Sequence, residues 1–153
     1  MCDRGMVPRR SHWELTPKQS IDLECARRGR AQLVSGCVAL LRRQDVDDDL
    51  VIALGGPFAR AVLDSGPKPG YLYWLRVLGA RGLLHAYADQ AEDAVIEALS
   101  DEHWRVREMG AKVVARYRIG AAFEQVTVLR ADPVPRVRAA ANRALVLLTS
   151  AAS

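Results

Sequence analysis

The chain has no apolar run approaching the ~18 residues that a bilayer crossing requires, which argues against a membrane-spanning protein. Histidines are few and scattered. His12, His85 and His103 form no HExxH motif and no Cys/His cluster, so no metal site is expected. The cysteines, Cys2, Cys25 and Cys37, are odd in number and lack CxxC spacing. Cys25 and Cys37 lie in apolar helical contexts and read as core residues, which predicts a reducing, cytoplasmic setting. There is no GxSxG, no P-loop and no GxGxxG; Gly79-Ala80-Arg81-Gly82 reads as helical packing. The Asp47–Asp49 run lacks the twelve-residue calcium-loop spacing with its closing glutamate and reads as a solvated helix start. No catalytic residue and no cofactor is expected. Residues 1–15 are polar, with Arg4, Arg9 and Arg10 but no apolar stretch after them, and read as a flexible tail, not a secretory signal.

What is present suits one helical domain over 16–150. Half of the 153 residues are hydrophobic, enough for a core at this size. The net charge of +4 is unevenly placed. Residues 1–46 carry nine Lys/Arg against five Asp/Glu, residues 47–100 four against eight, and residues 101–153 nine against five. A nucleic-acid binder more often spreads one sign along a continuous surface.

Sliding the sequence on itself by 31 residues brings the C-terminal half into register. Asp101-Glu-His-Trp-Arg-Val-Arg107 lies over Asp132-Pro-Val-Pro-Arg-Val-Arg138, and Trp74-Leu75-Arg76 lies over Arg105-Val106-Arg107. Gly79, Gly110 and Ala141 coincide, as do the cationic Arg81, Lys112 and Arg143. Each unit holds two helical patterns. In the first, Val106, Met109, Gly110, Val113, Val114 and Tyr117 recur at spacings of three and four, which puts them on one stripe. The equivalents from Leu75 to Ala86 and from Val137 to Leu148 do the same. A small residue in mid-stripe suits the close approach of a neighbouring helix. Shorter second helices are predicted over roughly 90–100 and 121–131, each followed by an aspartate, Asp101 or Asp132, at the turn.

The first half repeats the idea with weaker signals. Thr16-Pro17-Lys18-Gln19 is a capping-box helix start, predicting a helix over 17–28 that yields at Gly29. A second helix is expected over about 30–43, a third after Asp47–Asp49, and a fourth from Pro57. Ser65 to Gly70 is the clearest loop. No strand pattern competes, and the count comes to eight or nine helices.

Asp132-Pro-x-x-x-Val137-Arg138-x-x-Ala140-Ala141-x-x-Ala144-Leu145 resembles the HEAT repeat, in the short bacterial form known as the phycobilin-lyase HEAT-like repeat. Val95-Ile96-Glu97-Ala98-Leu99 resembles the second helix of that form. The likeness covers 71–149 clearly and the divergent 17–66 only in outline. It implies an all-α, right-handed solenoid of helix pairs, first helices convex and second helices concave. It also implies structural ion pairs: Asp101 with Arg107 and Asp132 with Arg138, or each arginine with the neighbouring repeat's aspartate. Gly70 stands at the aspartate position of the earliest unit, so Arg76 either finds another acid or is free for function.

Aromatic residues concentrate where two successive first helices begin. Tyr71, Tyr73, Trp74 and Trp104 lie there beside Arg76, Arg105 and Arg107, with Tyr117 further along. Trp, Tyr and Arg dominate binding hot spots, although rings with arginines stacked on them also serve to cover helix ends. The expected partner-binding ridge is Tyr73, Trp74, Arg76, Trp104 and Arg105, with the acidic second helix at Asp93 and Glu97 as the other candidate face. The expected role is a non-catalytic scaffold that binds a protein or peptide. The alternative is nucleic acid, because His103-Trp104-Arg105-Val106-Arg107 loosely resembles helices of the HEAT-like alkylpurine DNA glycosylases. Against it stand Asp89, Glu92, Asp93 and Glu97, which would face the phosphates. A bilin-lyase activity would rest on the repeat name alone, and fold does not fix function.

Overall fold

Side-chain caps set the helix starts in the first half. Thr16 accepts a hydrogen bond from the Gln19 N–H (3.1 Å) while its own N–H donates to the Gln19 side chain (3.0 Å), the reciprocal box that the sequence predicts. Asp47 does the same work for the third helix, accepting from the Leu50 N–H at 2.9 Å. Between the first two helices Gly29 takes φ +88°, a conformation that a side chain would strain.

The computed structural model describes residues 15–65 and 72–151. The chain is all-helical, with nine α-helices and no strand among the described residues. These are α1 (Pro17–Arg28), α2 (Arg30–Leu41), α3 (Asp48–Gly55), α4 (Pro57–Ser65), α5 (Leu72–His85), α6 (Glu92–Ala98), α7 (Trp104–Tyr117), α8 (Phe123–Val128) and α9 (Pro135–Ala151). Most of the expected tail, the loop residues after Ser65, Gly70 and Tyr71 lie outside the described residues. No described helix is long and apolar enough to cross a membrane.

Two boundaries differ from the sequence reading. The second helix ends at Leu41, not near 43, because Arg43 turns the chain off with φ +62°. The short second helices are composites: 3-10 turns at Asp89–Ala91, Gly120–Ala122 and Leu129–Ala131 flank α6 and α8. Ala91 and Ala122 stand at their N-caps and offer no side-chain acceptor, so the tighter turn supplies the bonds instead.

The helices pack in serial order: α2 against α5, α5 against α7, and α7 against α9, with α6 on α7 and α8 on α9. The stripe residues supply the core. Leu78, Leu83, Val106, Val113, Val114, Val137, Ala141 and Ala144 are all buried. Cys37 is buried and free, and burial pushes its thiol up to about 12, in keeping with a packing role.

The mid-stripe glycines mark the closest approaches. A Cβ placed on Gly79 would stand 2.7 Å from the carbonyl oxygen of Cys37 in α2, a backbone atom that cannot step aside. On Gly110 the nearest atom would be the Leu99 Cδ2 at 3.2 Å, the mobile end of a side chain. Gly79→Ala is therefore expected to lose about 1–3 kcal/mol by overpacking. Gly110→Ala should stay within about 1 kcal/mol of the parent, since the helix-propensity gain offsets the tight contact. Chemical denaturation of the two variants side by side measures the difference, and equal losses would refute the close-approach account.

Candidate interaction surface

The turns that begin α7 and α9 are built alike. Asp101 accepts from the His103 N–H at 2.8 Å, and Asp132 accepts from the Val134 N–H at 2.9 Å. Each carboxylate also receives a forked guanidinium from the preceding unit. Arg76 donates to Asp101 through Nε and Nη2 (2.7 and 3.1 Å), and Arg107 donates to Asp132 through the same pair (2.7 and 3.2 Å). The spare nitrogen of Arg107 donates to the Asp101 carbonyl (2.9 Å), and Arg138 donates to the Asp132 carbonyl (2.7 Å). Arg107 and Arg138 thus bind the backbone of their own unit's aspartate, and Arg76 and Arg107 take the carboxylate of the following unit. Arg138 meets no further carboxylate among the described residues.

This arrangement decides between the two expected pairings and corrects the role expected of Arg76. Its side chain is only 4% exposed and its fork is committed to Asp101, so it is not available to a partner. Burial alone would push the Asp101 and Asp132 carboxyls up. The hydrogen bonds from the arginines and from the turn N–H groups outweigh that, and both settle below the ordinary carboxylate value.

Trp74 also leaves the expected ridge. It is half-buried, packs edge-on to Phe58 (centroids 5.1 Å, 88°) and lies against Gly55. Next to it in sequence but about 100° round the helix, Tyr73 takes a different neighbour. Its ring stacks on His103 at 3.6 Å and 2°. His103 in turn lies beside Trp104 (6.1 Å, 21°), and two guanidiniums cover Trp104: Arg105 at 5.1 Å and Arg136 at 5.4 Å. Tyr73, His103 and Trp104 remain half-buried, while Arg105 and Arg136 are exposed. Burial, with help from Arg105, Arg76 and Arg107, lowers the His103 value against the pull of Asp101. Its Nδ1 accepts from the Arg105 N–H at 3.2 Å, so the ring also serves as the N-cap of α7.

The stack therefore joins Tyr73, Trp104 and Arg105 as expected and adds His103 and Arg136. Arg136 was legible in principle, because it lies 31 residues after Arg105. Tyr117 is a structural residue: its hydroxyl donates to the Leu84 carbonyl (2.8 Å) and its ring stacks on Tyr87. On the acidic face, Glu97 is exposed but engaged by Arg42 through two bonds (3.1 and 3.2 Å), while Asp93 is exposed nearby. No group of three or more His, Cys, Asp or Glu among the described residues is placed to hold a metal. Comparisons with protein-family models, characterised proteins and solved structures find no match to this chain.

Stripping one member of a buried pair strands the other charge. Arg76→Ala is expected to cost about 3–5 kcal/mol and Arg107→Ala somewhat less, its pair being less enclosed. Arg138→Ala, which loses a single bond to a carbonyl, should cost about 1 kcal/mol, and exposed Arg105→Ala within about 0.5 kcal/mol. Urea denaturation of the four variants checks this order, and equal small losses would overturn it. A pH dependence follows from the same pairs. Aspartates in the unfolded chain titrate near about 3.9 and so take up protons at a higher pH than the folded ones do. Their contribution is complete above about pH 5 and is lost as pH falls through the lowered folded values. Asp132→Asn should be less stable at neutral pH and show a shallower acid limb than the parent.

Proposed function

We propose that this chain is a short, right-handed α-solenoid of HEAT-like helix pairs. It acts without catalysis, as a cytoplasmic interaction module that holds a protein or peptide. The serial packing of α2, α5, α7 and α9 supports the solenoid reading, as does the recurrence of one turn and one arginine fork at a 31-residue interval. Free Cys25 and Cys37 are in keeping with a reducing compartment.

The observation that carries the functional reading is the edge of Tyr73, His103, Trp104, Arg105 and Arg136. Tyr73 and His103 lie face to face with Trp104 beside them, so the rings are packed on one another and less side-chain entropy remains to be lost on binding. They are half-exposed and flanked by two exposed guanidiniums, the composition of a binding hot spot. The role expected of Arg76 passes to Arg136.

Affinity capture of the intact protein from its native lysate, with and without nuclease, tests the reading. Arg105→Ala is expected to weaken retention of the captured protein about ten-fold while the thermal midpoint stays within a degree or so of the parent. Loss of the captured material on nuclease treatment would favour the nucleic-acid reading. Unchanged capture by Arg105→Ala and Trp104→Phe alike would leave the edge as packing.

A further inference from the structure

Beyond the aromatic edge, α5, α7 and α9 leave a trough of about 860 Å³ between them. Its floor is apolar, with Leu84, Ala115, Ala140 and Leu147, and the small alanines keep it open. Its walls are cationic: Lys112, Arg116, Arg118, Arg136 and Arg143. Glu108 is the one carboxylate lining it, and it is buried and already held by Arg136 (2.9 Å) and Lys112 (3.7 Å). Arg118 and Arg143 meet no carboxylate among the described residues, and Arg116 lies only over the Tyr117 ring. His85 completes the lining. Burial first, then Arg116, Lys18 and Arg81, lower its value against Asp22, so it adds no charge near neutrality. Four positive charges thus stand in excess around an apolar floor.

We propose that this trough binds an acidic, amphipathic helical segment of a partner protein, its apolar side chains on the alanine floor and its carboxylates on the arginines. The proposal rests on the interaction reading and gives that reading a partner chemistry; Arg136, which also covers Trp104, joins the two surfaces. Charge complementarity fixes the sign of the partner. Spacing favours a helix: Lys112 and Arg116 are one turn apart, about 6 Å, and Arg136 and Arg143 two turns apart, about 10 Å. Carboxylates one turn apart on a facing helix match the first pair, and carboxylates two turns apart match the second. The floor decides against nucleic acid, since a phosphate backbone brings nothing apolar to cover it. Among the described residues no Phe, Tyr or Trp lines the trough for bases to stack on, either. Residues 1–14 are no match, carrying Arg4, Arg9 and Arg10 against Asp3 and Glu14.

The probe is a labelled helix-forming peptide of about 14 residues, with glutamates one turn apart beside a stripe of leucines. Binding to the full chain is read by fluorescence anisotropy at physiological salt. Saturable binding is expected, weakened at least about ten-fold by the double variant Arg116→Glu/Arg143→Glu and left unchanged by Arg60→Ala, an exposed cation on α4 outside the trough. Both arginines are exposed, so the helical dichroism and thermal midpoint should hold. Should the double variant misfold, Ala139→Phe, at an exposed position lining the trough, is expected to block the site by filling it. Absence of saturable binding, or binding that survives both variants, overturns the trough while leaving the Trp104 edge untouched. Tighter, steeply salt-dependent binding of a duplex of about 20 base pairs at the same arginines overturns the peptide occupant. So does self-association that the double variant abolishes, which would give the trough to a second copy.

Discussion

The Arg76–Asp101 and Arg107–Asp132 pairs tie α5 to the turn before α7 and α7 to the turn before α9, and much else in the fold depends on them. A unit of 31 residues cannot bury its own apolar stripe, so each must cover the next. The covering surfaces are made of valine, alanine and leucine, which attract strongly but without direction. Sliding by one turn would part the guanidinium fork from its carboxylate and strand both in a nearly dry boundary. The ion pair thus works as a register pin. Its carboxylate also holds the turn, through the N–H of His103 or Val134, so one aspartate fixes both the start of its own helix and the position of the preceding one.

This economy accounts for what the sequence made legible. The 31-residue register exposed the stripe, the small residues and the aspartate–arginine recurrence, because each is a property of one unit repeated. Leu78, Val106, Val113 and Val137 are buried where the spacing places them. Contacts between units were harder to read. In a repeat, an arginine six residues after one aspartate and twenty-five before the next has two chemically equal partners, and spacing alone does not choose. Arg76 shows this: with Gly70 at its own unit's aspartate position, the sequence leaves open whether another acid takes it, and Asp101 of the following unit does. Trp74 parts from Tyr73 for a different reason: neighbours in sequence lie about 100° apart on a helix and face different surroundings.

The charge pattern was visible from the start, yet its meaning emerges only from the pairing. Cations of the first half are largely spent on the acidic middle of the chain or its boundary. Arg28 holds Asp47 and Glu24, Arg42 holds Glu97, Arg43 holds Glu102, and Arg76 holds Asp101. The acids of residues 101–153 are likewise engaged where they are buried, Asp132 by Arg107 and Glu108 by Arg136 and Lys112. Of the cations left without a carboxylate there, Arg116, Arg118 and Arg143 line one trough. A net charge of +4 averaged over the surface would suggest a weakly basic protein with no preference among partners. With the internal pairs subtracted, three of the cations left without a carboxylate meet at one place, over an apolar floor that a purely ionic ligand would leave bare. Field and floor together select for a partner that is both acidic and apolar, a narrower demand than either makes alone.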